Sequence, residues 1–309
     1  MDAGRQLPKT LIEAIRYFSD PDVCVEFVAW LRWPNGPVCP RCGGTEHSYL
    51  TTRRLWKCKS CKRQFSVKVG SIFEDSAIPL DKWLAAMWMI ANSKNGVSSH
   101  EMGRALGVTQ KSAWFLLHRI RLAMQTGTFA KLDGEIEVDE TFIGGKARNM
   151  HKRTRARKIT GTGGKDKTIV AGVLQRGGEV RAVVVPDTRR ATLQGGVRQN
   201  VEKGSAVYSD ALHAYAGLAG EYDHQVVDHA ERYVDGQVHV NGVENFWSLL
   251  KRGLHGTYVS VQPWHLFRYI DERVFTYNER ELTDLERFLE VLGTAAGRRL
   301  TYAGLTGKA

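Results

Sequence analysis

Apolar residues recur along this chain with two different periods, and the change between them divides it. Near the N-terminus Leu11, Ile12, Ile15 and Phe18 fall at helical spacing, and Pro34-Asn35-Gly36-Pro37 ends that pattern, so residues 8–33 read as one or two short helices. Trp83, Met87 and Ile90 repeat at four- and three-residue steps with Leu84 and Trp88 beside them, the stripe of a helix whose aromatic face is core. Ser98-Ser99-His100-Glu101 has the spacing of a capping box. Met102 and Leu106 give the following helix a buried face, and Gly107 can end it. Thr109 then begins a second helix running to about Met124. Two helices joined by a short glycine turn form the helix-turn-helix pattern, with Gln110, Lys111 and Ser112 at the start of the second helix, the part that reaches base edges in such motifs.

From Glu135 the period becomes two. Residues 135–143 alternate as a strand that puts Glu137, Asp139 and Thr141 on one face, and Gly144-Gly145 stops it. Thr168–Leu174 and Val180–Val185 flank a glycine-bearing turn and read as a β-hairpin. A helix from about Arg190 to Lys203 follows, then a short strand Ala206–Ser209 with Asp210 at its end, and another short strand around Val226-Val227. Val243, Phe246, Trp247 and Leu250 form the stripe of a helix packed on a sheet. On that helix Asn241 and Glu244 are one turn apart, and Lys251 lies two turns beyond Glu244, about 10 Å along the axis. The fold class is therefore α+β.

Charge sharpens this picture. The net charge of +11, from 44 Lys and Arg against 33 Asp and Glu, favours a polyanionic partner. Residues 146–165 hold eight Lys or Arg and no acid, among them Arg148, Lys152, Arg153, Arg155 and Arg157, and read as a mobile cationic loop clamped on a phosphate backbone. The polar, charged N-terminus is unlike a signal peptide, and no apolar run approaches the ~20 residues of a membrane span, which points to a cytoplasmic, nucleoid-associated protein with no membrane partner.

Four of the five cysteines form two pairs, Cys39-Pro-Arg-Cys42 and Cys58-Lys-Ser-Cys61, separated by fifteen residues. Two such knuckles can place four thiolates around one Zn²⁺; with no open position, that zinc is structural. Trp56 and Phe65 flank the second pair as a small apolar core, while Cys24 stands apart as a packed residue. Downstream, the arrangement of acids carries the signal: a strand Asp, a strand-end Asp and a helical Glu, with 33 residues between the last two. Carboxylates on separate elements can hold two Mg²⁺ ions, with Mn²⁺ as a substitute, and so relieve charge on both oxygens of a phosphodiester exchange.

The stretches CPRCGG…WKCKSCKRQFS, IEVDETFIGGK, VYSDALHAY and HVNGVENFWSLLKRGLHGTY resemble bacterial insertion-sequence DDE transposases of the zinc-ribbon, ISXO-like group, whose catalytic domain is RNase H-like. The resemblance implies Asp139 and Asp210 as the first two Mg²⁺ ligands and Lys251 as the basic residue after the third. Glu244 suits that third position by charge and by its spacing to Lys251, and Asn241 is the other candidate. It also implies cleavage and strand transfer at terminal repeats of double-stranded DNA by a homodimer or larger assembly. The expected domains are a helical segment (1–34), a zinc ribbon (35–70), a helix-turn-helix segment (71–130), an RNase H-like domain (131–285) and a tail (286–309). Two other readings stay open: a zinc-ribbon regulator derived from a transposase, and an RNase H-type nuclease without strand transfer.

Overall fold

The structure, a computed structural model, describes residues 6–125, 130–145, 150–159, 166–227 and 239–307. The chain forms two compact units: Met1–Thr126 with Glu279–Ala309, and Gly127–Asn278.

The first unit opens with α1 (Leu11–Tyr17) and α2 (Pro21–Arg32). Asp20 caps α2 by accepting from the Asp22 N–H, and Pro21 takes the first turn, where a missing N–H costs nothing. Ile12 and Ile15 belong to the apolar spacing that predicts α1 but are exposed; Ala14 and Phe18, one turn apart, are the buried pair. An antiparallel sheet follows, β1 (His47–Leu50), β2 (Leu55–Cys58) and β3 (Gln64–Phe65), in that order. Helix α3 (Leu80–Asn92) runs through the core with Trp83, Leu84, Met87, Trp88 and Ile90 all buried. Next come α4 (Ser99–Leu106) and α5 (Gln110–Ala123). Ser98 and Thr109 cap them, and Gly107 ends α4 at φ +62°, a conformation that costs other residues more.

The C-terminal segment, expected to be a tail, is part of this unit. Its helix Asp284–Gly293 starts in a capping box between Thr283 and Glu286. Phe288 is fully buried, 5.8 Å from the ring of Phe18 and 5.2 Å from that of Trp88. The reason is hydrophobic: Phe288, Val291 and Leu292 make one apolar stripe, and α3 supplies the face that covers it. Beyond it, Arg298 donates to the Leu122 and Gln125 carbonyls at the end of α5, and the buried Arg119 donates to the carbonyls of Ile72 and Leu300.

The second unit contains β4 (Glu135–Ile143), α6 (Lys152–Lys158), β5 (Thr168–Gln175), β6 (Val180–Val185), α7 (Arg190–Asn200), β7 (Ala206–Asp210), β8 (Asp223–Val227), α8 (Asn241–Gly253) and α9 (Leu266–Asn278). The sheet order is β6-β5-β4-β7-β8. Strands β4, β5 and β6 form an antiparallel meander, while β7 and β8 run parallel to β4. This is the mixed sheet expected of an RNase H-like domain. On one face Leu193 and Val197 of α7 pack with Ile136, Val138 and Val207. On the other, Val243, Phe246, Trp247 and Leu250 of α8 pack with Val170, Leu174 and Tyr208. Strand β7 runs parallel to the first half of β4 and ends at Asp210, level with Asp139 in the middle of β4. One expectation changes: residues 152–158 of the predicted basic loop form the exposed helix α6. That run contains only Lys, Arg, Thr and Ala, with no glycine or proline to oppose helix formation.

Candidate metal centres

The two cysteine knuckles close on each other. Within the first, the Gly43 N–H donates to the Cys39 carbonyl and the Cys39 N–H to the Gly44 carbonyl. Gly43 sits at φ +73°, and a side chain on Gly44 would lie 2.9 Å from Ser60 Oγ and 3.3 Å from Cys58 Sγ. The turn therefore needs both glycines. All four thiols lie within 4.8 Å of one another, with Cys39–Cys61 and Cys42–Cys58 Sγ separations of 3.7 and 3.6 Å. Tetrahedral Zn–S bonds of about 2.3 Å require S···S edges of about 3.8 Å, so the four sulfurs fit zinc. Backbone N–H groups of Cys61 and Ser60 aimed at Cys58 lower its thiol to about 6, which favours the thiolate a metal requires. Trp56 stacks on Phe65 as expected. Trp33, which the spacing does not single out, meets both edge-on at 5.3 and 5.9 Å.

The second centre is acidic. Carboxylate oxygens of Asp139, Glu140 and Asp210 lie within 4.8 Å of one another. Asp139 points to the α8 side of the sheet, where the Trp247 indole N–H donates to its Oδ2 at 2.8 Å. Glu140 points to the other side, where the Tyr215 hydroxyl donates to its Oε2 at 3.1 Å. Asp210 leaves the end of β7 and accepts from the Leu212 N–H at 3.1 Å. Desolvation, followed by repulsion from Glu140 and Asp210, pushes Asp139 up to about 7 against the opposing pull of Trp247. Desolvation and Asp210 raise Glu140 as well. Three crowded, partly desolvated carboxylates fit a divalent cation, which would remove the repulsion that raises them.

The structure thus brings together Asp139 and Asp210 of the predicted acids, adds Glu140, and leaves Glu244 outside that cluster. Glu244 and Asn241 lie at the start of α8, and Lys251 is half-buried on the same helix. At about 100° per residue, Glu244 and Lys251 lie on the edge flanking Trp247, the residue that touches Asp139. The helix is set on the sheet by a residue that the strand pattern places on a face without giving it a role. Glu137 is 1% exposed, and its Oε2 accepts from the Val243 N–H at 2.9 Å, capping a helix whose N-cap residue, Val240, offers no side chain for the purpose. Its Oε1 accepts from Arg176 Nε at 2.9 Å. His239 lies at 3.3 Å from the same oxygen, so it belongs to this anchor. Gly242 leaves the necessary space, since a Cβ there would stand 2.8 Å from Glu137 Oε2. The sequence signal for Glu137 is its place two residues before Asp139. Arg176, in an ordinary turn, carries none.

Among the predicted DNA-facing residues, Gln110 donates to Ser99 Oγ at 2.8 Å, Lys111 lies over the Tyr302 ring, and Ser112 forms the cap with Thr109. Lys152, Arg153, Arg155 and Arg157 lie on the exposed helix α6, whereas Arg148 lies outside the described residues. Among the described residues, no helix is long and apolar enough to cross a membrane.

The ISXO2-like transposase domain family matches residues 131–278, and the transposase zinc-ribbon domain family matches residues 19–64. An uncharacterized protein in transposable element ISH50 of Halobacterium salinarum is 28% identical over 253 residues, covering 78% of this chain and 85% of that protein. An uncharacterized transposase-like protein of Haemophilus influenzae is 30% identical over 105 residues, 34% of this chain and 85% of its own length. The carboxylates on the mixed sheet fall inside the first matched region and the four cysteines inside the second, and by these matches the chain belongs to the zinc-ribbon, ISXO2-like family of insertion-sequence DDE transposases.

Proposed function

We propose that this transposase binds the terminal repeats of its own element and catalyses metal-dependent cleavage and strand transfer on one carboxylate site. The observation that carries the reading is the convergence of Asp139 and Glu140, in the middle of β4, with Asp210 at the end of the parallel strand β7, each acid held by its own donor. Asp139 and Asp210 would hold Mg²⁺, and Glu244 would complete the set from the α8 edge that flanks Trp247. Glu140 is the rival for that third place, favoured by its position in the cluster. Asn241, one turn before Glu244, would support the helix start. Mg²⁺ bound there would neutralise charge on the entering and leaving oxygens of the phosphodiester. The chain's own residues would do the rest. Lys251 would grip a neighbouring phosphate, and the α6 cations Lys152, Arg153, Arg155 and Arg157 would hold the backbone with Arg148. Gln110, Lys111 and Ser112 at the start of α5 would read base edges. The four cysteines would bind a structural Zn²⁺. Because two ends must be joined, the working form would be a homodimer or larger assembly on DNA.

The test is a reaction of the purified full chain with Mg²⁺ and labelled DNA carrying the flanks of its own gene. The expected products are nicks at the element ends followed by joined strands. Binding without nicking would support the regulator reading, and cleavage of any duplex without joining would support the nuclease.

A further inference from the structure

Trp247 and Asp139 are 108 residues apart in sequence, yet the indole N–H donates to Asp139 Oδ2 at 2.8 Å. The contact depends on a third residue. Gly172 on β5 is the direct cross-strand partner of Asp139 on β4. A Cβ at Gly172 would stand 2.6 Å from Cζ2 and 2.7 Å from Cη2 of Trp247, distances real atoms do not tolerate. Gly172 lies inside a regular strand, so the glycine is required for space. The six-membered ring of the indole covers the bare backbone beside Asp139. Phe246, with its ring 5.1 Å away, and the other buried residues of the α8 stripe leave Trp247 little freedom to move aside.

We propose that Trp247, seated on Gly172, is a positioning residue that fixes the orientation of the Asp139 carboxylate for metal binding. The inference rests on the reading of Asp139 as a metal ligand. One oxygen is engaged by the indole, so the carboxylate is held in one rotamer and does not swing between Glu140 and Asp210. A buried indole that only needed a partner for its N–H would affect folding stability and leave the metal site unchanged.

The experiment measures Mn²⁺ affinity of the full-length, zinc-loaded chain by electron paramagnetic resonance, without DNA and well below the unfolding temperature. Trp247→Phe should weaken Mn²⁺ binding about ten-fold, the lower end of what loss of a supporting hydrogen bond does at metal sites. Replacing Trp247 with β-3-benzothienylalanine keeps the ring shape and removes only the N–H; it should give the same loss with an unchanged unfolding temperature. Gly172→Ala should also weaken binding. The Gly172→Ala, Trp247→Phe double variant should be no weaker than Trp247→Phe alone, because the glycine acts through the indole. Wild-type Mn²⁺ affinity in the benzothienyl protein would overturn the inference, as would additive losses in the double variant. If Asp139→Asn abolished binding while both Trp247 variants bound normally, the metal reading would stand and this inference would fall. If wild type and Asp139→Asn bound Mn²⁺ alike, both would fall.

Discussion

Asp139 is the residue on which most of the acidic site turns. Its neighbours pull in two directions: burial and the carboxylates of Glu140 and Asp210 disfavour its charge, while the Trp247 indole favours it, and the net effect raises it from 3.8 to about 7. Between those values the folded chain binds a proton that the unfolded chain does not. The metal-free protein should therefore lose stability as pH rises from about 4 to about 7 and stay at the lower level above that. A tenfold difference in proton affinity between the two states corresponds to about 1.4 kcal/mol. Asp139→Asn removes this cost, so in zinc-loaded, magnesium-free buffer it should unfold several degrees higher than wild type at pH 8 and show no such gain at pH 4. Thermal unfolding at the two pH values checks this. An equal gain at both would mean that the effect comes from packing and not from charge. At this scale the sequence displays the ligand candidates more readily than their supports. Asp139, Asp210 and the four cysteines stand in recognisable strings, while the side chains that donate to Asp139 and Glu140 come from remote elements. Nothing in the local pattern around Tyr215, Arg176 or Gly172 indicates that they reach Glu140, Glu137 or Trp247.

Helices and strands with strong periods are readable because burial enforces the period. The Val243-Phe246-Trp247-Leu250 stripe appears in the structure as a fully buried face, and the alternation of residues 135–143 as a strand with Asp139 at its centre. Helix α6 escapes such a reading because a dense run of cations next to glycines looks like a solvated loop, and with no buried residue it has no apolar period to detect. Its helical form changes how the cations are presented. Lys152, Arg153 and Arg155 sit within one turn of each other on an exposed element. Changing all three to Gln, which preserves helix propensity, should weaken binding to any DNA and flatten its salt dependence. Every phosphate that α6 no longer neutralises should take about 0.9 off the slope of log K against log salt concentration. Binding curves at several salt concentrations, with end and random DNA, measure this. An unchanged slope would make α6 an ordinary solvated surface.

At the scale of the whole chain, the order of the elements in sequence is not their order in the folded units. The first unit is closed by residues that follow the second, and Phe288 completes a core begun by Phe18 and Trp88. The apolar stripe of the helix Asp284–Gly293 does not say which distant face will cover it, so the segment reads as a tail until its packing is seen. The mixed sheet can be anticipated further, because an antiparallel hairpin and a later short strand ending in Asp are both local signals. The parallel pairing that sets Asp210 beside Asp139 is a long-range contact. That pairing supports the central claim, that one carboxylate set performs both cleavage and joining. The most direct test uses Asp139→Asn and Asp210→Asn separately, each supplied with Mg²⁺, labelled element ends and, in a second reaction, ends already cut to expose their 3′-hydroxyls. The account predicts normal end binding by both variants, no nicking of intact ends, and no joining of pre-cut ends. Efficient joining of pre-cut ends by either variant would contradict it, because that residue would then serve cleavage alone.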